Sequence, residues 1–486
     1  MAALFLSFSA NALDQDALQR LASDDNDEKI AAIGALVAEG DPKAAEVLAK
    51  AAEGEVAIDG KKVEIVVNNR VRGRIAEALA VLKLLSQDRG ERLTAAKALA
   101  GSANPAMLPL ISKAKERETD AEIRQLLELT AAGMQLKSED RATRLAAIRA
   151  LAGSNNKALL LEAASDPDPD MQAEAQKSLR AIDDRLVLGE WLGLAFAGAS
   201  LGSILLLAAL GLAITYGLMG VINMAHGELI MIGAYTTYVV QNLFRGTALF
   251  DWYLLAAVPA AFLASALVGM VLERSVIRWL YGRPLETLLA TWGISLVLIQ
   301  AVRTVFGAQN VQVENPAFMS GGIQVLANVV LPWSRVFILV FAVLVLIGMW
   351  LLLSKTRLGL FIRGVTQNRE MAACVGVPTT RVDTWAFGLG SGIAGLAGCA
   401  LSQLGNVGPD LGQGYIVDSF LVVVFGGVGQ LAGTVYAALT LGFANKLLES
   451  WSGAVLAKIA LLVFIIIFIQ RRPQGLFALR GRTLEA

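Results

Sequence analysis

Trp191-Leu-Gly-Leu-Ala-Phe-Ala-Gly-Ala-Ser-Leu-Gly-Ser-Ile-Leu-Leu-Leu-Ala-Ala-Leu-Gly-Leu-Ala-Ile-Thr-Tyr-Gly-Leu-Met219 contains no charged residue. A bilayer-crossing helix needs about 20 mainly apolar residues, and this run exceeds that. The absence of Lys and Arg extends from Leu186 to Phe244, whereas Met1 to Arg185 is dense in Lys, Arg, Asp and Glu. The boundary between two solvents therefore falls near Arg185. Similar apolar runs follow at Asn223–Val240, Tyr253–Leu272, Thr287–Val305, Val336–Leu353, Trp385–Leu404, a short Ile416–Phe425, Leu431–Leu448 and Leu456–Gln470. The expected fold is all-α: a polytopic membrane protein of about 8–9 spans, some short or broken, behind a soluble helical domain.

Loop charge orients the spans. Glu273–Glu286 carries Arg274, Arg278 and Arg283; Ser354–Asp383 carries Lys355, Arg357, Arg363, Arg369 and Arg381; the tail carries Arg471, Arg472, Arg480 and Arg482. The opposite loops hold far fewer basic residues, so the positive-inside rule places these three in the cytoplasm. An odd number of crossings, nine with one short, then puts residues 13–185 outside and the C-terminus inside.

At the N-terminus, Met1 to Ala12 is an apolar run ending in Ala10-Asn11-Ala12. It reads as the remnant of a signal peptide without its charged n-region; the other reading is the apolar first turn of a soluble helix. Between Leu13 and Arg185, Ile30–Val37, Leu93–Ala100 and Leu145–Ala152 are variations on one amphipathic theme. The string Ala-Leu-Ala-Gly-Ser occurs at Ala98–Ser102 and again at Ala150–Ser154. Repeated helix pairs suit a helical-repeat (HEAT-like) solenoid, interrupted by a hairpin at Gly54–Val66 turning at Asp59-Gly60. A solenoid offers a docking face; a spacer is the plainer reading.

Several chemistries are excluded. Lys plus Arg equals Asp plus Glu at 42 each, without a basic, aromatic-studded patch, so nucleic acid is not a partner. Cys374 and Cys399 make neither a disulfide framework nor a metal site, and the only histidine, His226, lacks companion ligands. Gly54–Lys62 fails P-loop spacing, and Gly390–Gly395 matches G-x-G-x-x-G without a βαβ setting. No cofactor and no metal is expected, and any ATP hydrolysis must reside on another chain. In Gly388-Leu-Gly-Ser-Gly-Ile-Ala-Gly-Leu-Ala-Gly398 small residues recur at four, which predicts close helix packing in lipid.

The most informative stretch is Tyr216-Gly-Leu-Met-Gly-Val-Ile-Asn-Met-Ala-His-Gly-Glu-Leu-Ile-Met-Ile-Gly-Ala-Tyr235. Asn223, His226 and Glu228 interrupt an apolar run, where polar groups are costly unless paired or facing a cavity. Two readings stand: a pathway lining or hinge, or three side chains capping and bonding one another at a helix break. Thr291, Gln300 and Asp418 are further polar residues in or near spans, each with a structural alternative. Gly426, Gly427, Gly429 and Gly433 predict a second helix break.

The 216–235 stretch resembles the permease subunits of the branched-chain amino acid and amide ABC importers, in which G-(V/I)-I-N-x-A-H-G-E occurs near the first spans. The resemblance continues through Thr356-Arg-Leu-Gly-Leu-Phe-Ile-Arg-Gly-Val-Thr-Gln-Asn-Arg-Glu-Met-Ala-Ala-Cys-Val-Gly-Val377, Phe425-Gly-Gly-Val-Gly-Gln-Leu-Ala-Gly-Thr434 and Arg472-Pro-Gln-Gly-Leu-Phe477. It covers about Leu192 to Phe477, so 186–486 is expected to be the permease domain. On its own residues, the Ser354–Asp383 loop is basic and holds a short helix at Gln367–Val375, fit to anchor on anionic lipid or to meet a cytoplasmic partner. The resemblance implies the partner, through Arg363, Gly364, Gln367, Asn368, Glu370, Ala372, Ala373 and Gly376 as the ATPase coupling loop. It further implies a second homologous permease, two cytoplasmic ATP-binding subunits, an extracytoplasmic binding protein and a bacterial inner membrane. The N-terminal extension resembles the urea-importer branch, which makes urea or a short amide the expected solute. A branched-chain amino acid permease and an ATP-independent channel gated by the helical domain are the alternatives.

Overall fold

The computed structural model describes residues 15–477 except 24, 40–41, 59–60, 66, 85, 100–106, 154–156 and 327. The signal-peptide reading of 1–12, the Asp59-Gly60 turn, Ala100–Ser102 of the first repeated string and the arginines at 480 and 482 lie outside the described residues. The chain divides into two compact units, Met1–Val187 and Leu188–Ala486.

The first unit is built from α1 (Gln15–Leu21), α2 (Asn26–Glu39), α3 (Pro42–Ala52), the strands β1 (Glu55–Ile58) and β2 (Lys61–Glu64), then α4 (Asn69–Lys83), α5 (Arg89–Leu99), α6 (Leu108–Arg117), α7 (Ala121–Gln135), α8 (Arg141–Leu151) and α9 (Lys157–Ala164). The strands pair antiparallel with Ile58 opposite Lys61. Each helix buries one stripe: Val71, Ile75, Ala78 and Leu82 on α4, and Ile123, Leu127, Ala131 and Met134 on α7, at the three-and-four spacing of an amphipathic helix. Sequence neighbours pack on one another, α3 on α4, α4 on α5, α6 on α7 and α7 on α8.

One ion-pair pattern occurs twice. Arg89, first in α5, binds Asp120 (2.7 Å) and Glu122 (3.0 Å), while Arg92 one turn later binds Glu118 (2.8 Å). Arg141, first in α8, likewise binds Asp168 (2.7 Å) and Asp170, and Arg144 binds Asp166. In both copies alternate acids just before or within the first turn of a later helix receive the arginines. Asp120 and Asp140 also accept backbone N–H groups as N-caps of α7 and α8. The Arg89 guanidinium holds the Asp120 carboxyl below the usual range, the Arg141 guanidinium does the same for Asp168, and the Thr143 hydroxyl with two backbone N–H groups does so for Asp140. A depressed carboxyl contributes stability that is complete above its unfolded pKa and is lost as pH falls through the folded value. We expect amide protection across α5–α9, corrected for intrinsic exchange, to be flat from about pH 7 to 5 and to fall below about pH 4. Protection unchanged at pH 3 would refute this account.

The second unit contains most of α10 (Pro169–Met219), then α11 (His226–Phe244), α12 (Tyr253–Ser275), α13 (Pro284–Phe306), the hairpin β3 (Gly322–Leu326) and β4 (Val329–Pro332), α14 (Trp333–Lys355), α15 (Arg357–Gln367), α16 (Arg369–Cys374), α17 (Thr379–Ser402), α18 (Gln413–Gly426), α19 (Leu431–Ser452) and α20 (Ala454–Arg471). The short amphipathic helix expected from Met171 and the span expected from Trp191 are one helix of 51 residues. No proline and only Gly189 stand between Arg180 and Trp191. The backbone is therefore helical on both sides of Arg185.

Among the described residues seven helices are long and apolar enough to cross a membrane: α10, α12, α13, α14, α17, α19 and α20. This chain is a multi-pass membrane protein. The two remaining apolar runs expected to cross fall short for different reasons. Helix α11 has 19 residues but includes His226, Glu228, Gln241 and Asn242. Helix α18 has 14 residues, a length of about 21 Å against a hydrocarbon core of about 30 Å.

Helices α11, α12 and α17 form the centre of this unit. Their contact depends on glycine. A Cβ added at Gly398 would lie 1.9 Å from the Ile230 carbonyl oxygen, and one at Gly233 2.1 Å from that of Gly395. Backbones touch here because no side chain intervenes, as the small-residue spacing predicts.

Candidate functional site

Helix α10 ends at Met219, and the chain returns through Gly220, at φ +67°, before α11 starts at His226. His226 Nε2 is 2.9 Å from the Ala208 carbonyl oxygen, so α11 starts about three turns before the end of α10. Gly227 in turn abuts Gly412, immediately before α18; a Cβ on Gly412 would meet the Gly227 oxygen at 1.8 Å. Two helix N-termini, those of α11 and α18, thus meet within the depth of α10 rather than at its end. Aligned N–H groups there favour partial negative charge.

Asn223, His226 and Glu228 are buried, but they do not bond one another. Asn223 Oδ1 accepts from the Ala225 N–H at 3.0 Å, His226 contacts α10, and Glu228 Oε1 accepts a short hydrogen bond from Ser295 on α13. The expected mutual capping is corrected by helical geometry: residues two apart on a helix point about 200° apart. Thr291 joins the group, accepting from the Met224 N–H at 3.2 Å and donating to the Thr287 carbonyl at 2.8 Å. Because a backbone carbonyl only accepts, His226 Nε2 carries the proton. Asn223 Nδ2, His226 Nδ1 and Glu228 Oε2 have no hydrogen-bond partner among the described residues, an arrangement that protein structures avoid.

Two expected members do not join the cluster. Gln300 is exposed; nine positions beyond Thr291, it projects from the opposite side of α13. Asp418 forms an ion pair with Lys458 of α20 at 3.2 Å. Ser295, one turn after Thr291, was missed, although a second hydroxyl at i+4 is a readable sign of a polar stripe.

The second helix break lies after α18. Gly427 and Gly429 have φ of +102° and +80°; Gly426 packs on Gly433, and a Cβ on Gly217 would meet the Gly429 Cα at 2.6 Å. The tail closes this break, as Leu476 and Phe477 donate backbone N–H bonds to the Phe425 (2.9 Å) and Gly426 (3.2 Å) carbonyls. Glycine stretches distant in sequence therefore adjoin.

Between α14 and α17 lie two helices rather than the one expected at Gln367–Val375. Thr356 caps α15 through the Gly359 N–H (3.2 Å), and Asn368 caps α16 through the Met371 N–H (2.9 Å). Gln367 thus ends α15, and Asn368 separates the two. Gly376, at φ +85°, follows α16. Arg363, Gly364, Gln367, Asn368, Glu370, Ala373 and Gly376 are exposed, whereas Ala372 is buried. Met371 and Val375, one turn apart, are 61% and 77% exposed beside them. Two apolar side chains are thus exposed among the polar ones of this surface.

Behind this surface is a ring of polar residues. Arg369, first in α16, forms an ion pair with Asp383 of α17 and sits 5.3 Å above the Tyr281 ring. The Tyr281 hydroxyl donates to Glu273 of α12 at 3.0 Å, and Thr384 of α17 donates to the same carboxylate at 2.7 Å. Arg278 approaches Glu273 at 3.4 Å and Thr384 at 3.1 Å. Burial, reinforced by the Glu273 carboxylate, pushes the Tyr281 phenol far above its usual range, so it stays the donor. Glu273 and Asp383 are both 0% exposed. Reading loop charge alone missed them; an acid at the end of an apolar run was the available signal. Among the described residues no group of His, Cys, Asp and Glu could hold a metal.

Residues 194–470 match the family model described as branched-chain amino acid transport system / permease component. The chain is 28% identical over 287 residues to the high-affinity branched-chain amino acid transport system permease protein BraD of Pseudomonas aeruginosa, covering 57% of this chain and 93% of that one. Against the LivH permease of the corresponding Escherichia coli system it is 28% identical over 292 residues, covering 58% and 93%. The E. coli ribose import permease RbsC matches at 31% over 110 residues, 21% of this chain and 34% of its own. No solved structure matches.

Proposed function

The chain belongs to the branched-chain amino acid transport system permease family, and from that membership we propose that it forms half of the transmembrane pathway of an inner-membrane ABC importer for urea or a short amide. The exposed α15–α16 surface, held between two spans at an arginine-rich end, supports the energy-coupling part of this reading. Two cytoplasmic ATPases press on Glu370, Met371, Ala373 and Val375, a second permease completes the pathway, and an extracytoplasmic binding protein delivers solute. The breaks at 220–225 and 427–430 change access to the pathway near Asn223, Glu228 and Thr291. In this orientation the first unit, read as a helical-repeat domain, lies outside and the C-terminus inside.

The solute assignment rests on the first unit. Some 93% of BraD and of LivH is matched by under 60% of this chain, which leaves residues 1–187 largely without a counterpart in them. That extension resembles the urea-importer branch. The observation favouring the second reading, a branched-chain amino acid, is that BraD and LivH carry that solute class in their names. Radiolabelled urea uptake into cells with and without the chain, competed by acetamide and by leucine, separates the two. We expect chain-dependent uptake that acetamide reduces and leucine leaves intact; competition by leucine alone selects the amino acid. Uptake that persists after ATP depletion would instead identify a channel.

A further inference from the structure

We propose that the ring Arg369–Asp383–Thr384–Glu273–Tyr281 is the transmission element of the importer. It makes α16 move as one body with α12 and α17, so that displacement of a cytoplasmic ATPase reaches the helix break at Asn223–Glu228. This rests on α16 being the surface that receives the ATPase.

Helix α16 has only six residues, and it contacts the spans chiefly through its first residue and the buried Ala372. Without further ties, a push on so short a helix would be absorbed by the glycine at 376. The ring supplies those ties in both directions. Arg369 holds α17 through Asp383 and holds the α12–α13 connection through Tyr281; Glu273 then joins Tyr281 to Thr384, the residue after Asp383, which closes the circuit.

Beyond the ring the route continues through contacts that cannot slip. Helix α17 touches α10 where Gly211 meets Gly390, and it touches α11 where Gly398 meets Ile230 and Gly395 meets Gly233. Gly211 also lies against His226, whose Cε1 would be 2.9 Å from an added Cβ. A buried carboxylate whose partner is removed is costly, so the carboxylates at 273 and 383 also penalise any separation of α16 from the two spans. Arg369, Asp383, Glu273, Tyr281 and Thr384 are thus positioning residues that touch neither solute nor nucleotide.

The test uses the complete importer in proteoliposomes: this chain, the second permease, the ATPases and the binding protein. The Arg369→Gln/Asp383→Asn double variant removes the link without leaving a buried unpaired charge, and Glu273→Gln cuts the circuit on its other side. For each we expect subunit assembly and ATP hydrolysis within about twofold of the parent, solute imported per ATP down about tenfold, and no further loss when the two are combined, as residues of one unit behave. Arg369→Lys, which keeps the ion pair, restores part of the ratio. A merely structural ring would lower ATP hydrolysis, uptake and assembly in parallel, and that result overturns the proposal, as does an unchanged import ratio in assembled variants. Ala373→Trp serves as the control. If it too leaves the ratio unchanged, the docking assignment of α16 fails; if it lowers the ratio while the ring variants do not, the ring alone fails.

Discussion

The Ala373→Trp importer is expected to bring in solute at a tenth or less of the parent rate while its ATPase still turns over. Ala373 is exposed on α16 one turn after Glu370 and one position from the buried Ala372; Met371 and Val375, each two positions away, project from the other side of the exposed surface. A methyl group permits close approach of a partner; an indole forces the surfaces apart. Overpacking a well-fitted contact costs about 1–3 kcal/mol, and 1.4 kcal/mol is a factor of ten in an equilibrium. Glu370→Arg reverses a charge at the rim of the same surface and is expected to act in the same direction, more weakly because the site is exposed. ATP hydrolysis and uptake measured on one reconstituted preparation give the ratio. Normal transport in both variants would remove the coupling role from α16.

A second large effect is expected in the membrane core. Gly398→Ala places a methyl 1.9 Å from the Ile230 oxygen and 2.8 Å from the Ala234 nitrogen, and both obstacles are backbone atoms that no rotamer change can clear. Helices α11 and α17 must separate, and with them the contacts at Gly233 and Gly395. Against a total stability of about 5–15 kcal/mol, a loss at or above the top of the overpacking range of about 3 kcal/mol takes a large share of the margin, lowering the thermal midpoint and the monodisperse fraction in detergent extracts. Gly293→Ala and Gly364→Ala are the matched controls, because an added Cβ at either meets nothing within 4 Å. Size-exclusion profiles and thermal midpoints should separate the first variant from the other two. Equal midpoints for all three would refute a backbone-to-backbone crossing of α11 and α17 at Gly398.

Much of the membrane architecture could be read from the amino-acid order because hydropathy is a local property. The charge-free run at 191–219 announces its helix whatever packs on it, and Gly376 announces a chain break through its own backbone freedom. What resisted reading depends on direction and distance. His226 and Glu228 look like partners when written two letters apart, yet the helix turns them toward α10 and α13. Gln300 shares its helix with Thr291 and Ser295 but emerges from the other side. Glu273 and Thr384 lie more than a hundred residues apart, and no local pattern pairs them; only the packing of α12 on α17 does. The doubled arginine pattern at 89/92 and 141/144 was within reach, since both arginines sit at the same helical positions, but its acidic partners arrive only after an intervening helix.

The tail contact has a consequence for biosynthesis. Because Leu476 and Phe477 supply the N–H groups for the Phe425 and Gly426 carbonyls, the end of α18 acquires its last hydrogen bonds only when translation has passed residue 477. A nascent or prematurely released chain holds bare carbonyls at a helix end within the membrane unit, where each unpaired polar group is costly. Order of synthesis is thereby tied to packing: α18, made earlier, finishes its hydrogen bonding only after the later segment at 476–477 has docked on it.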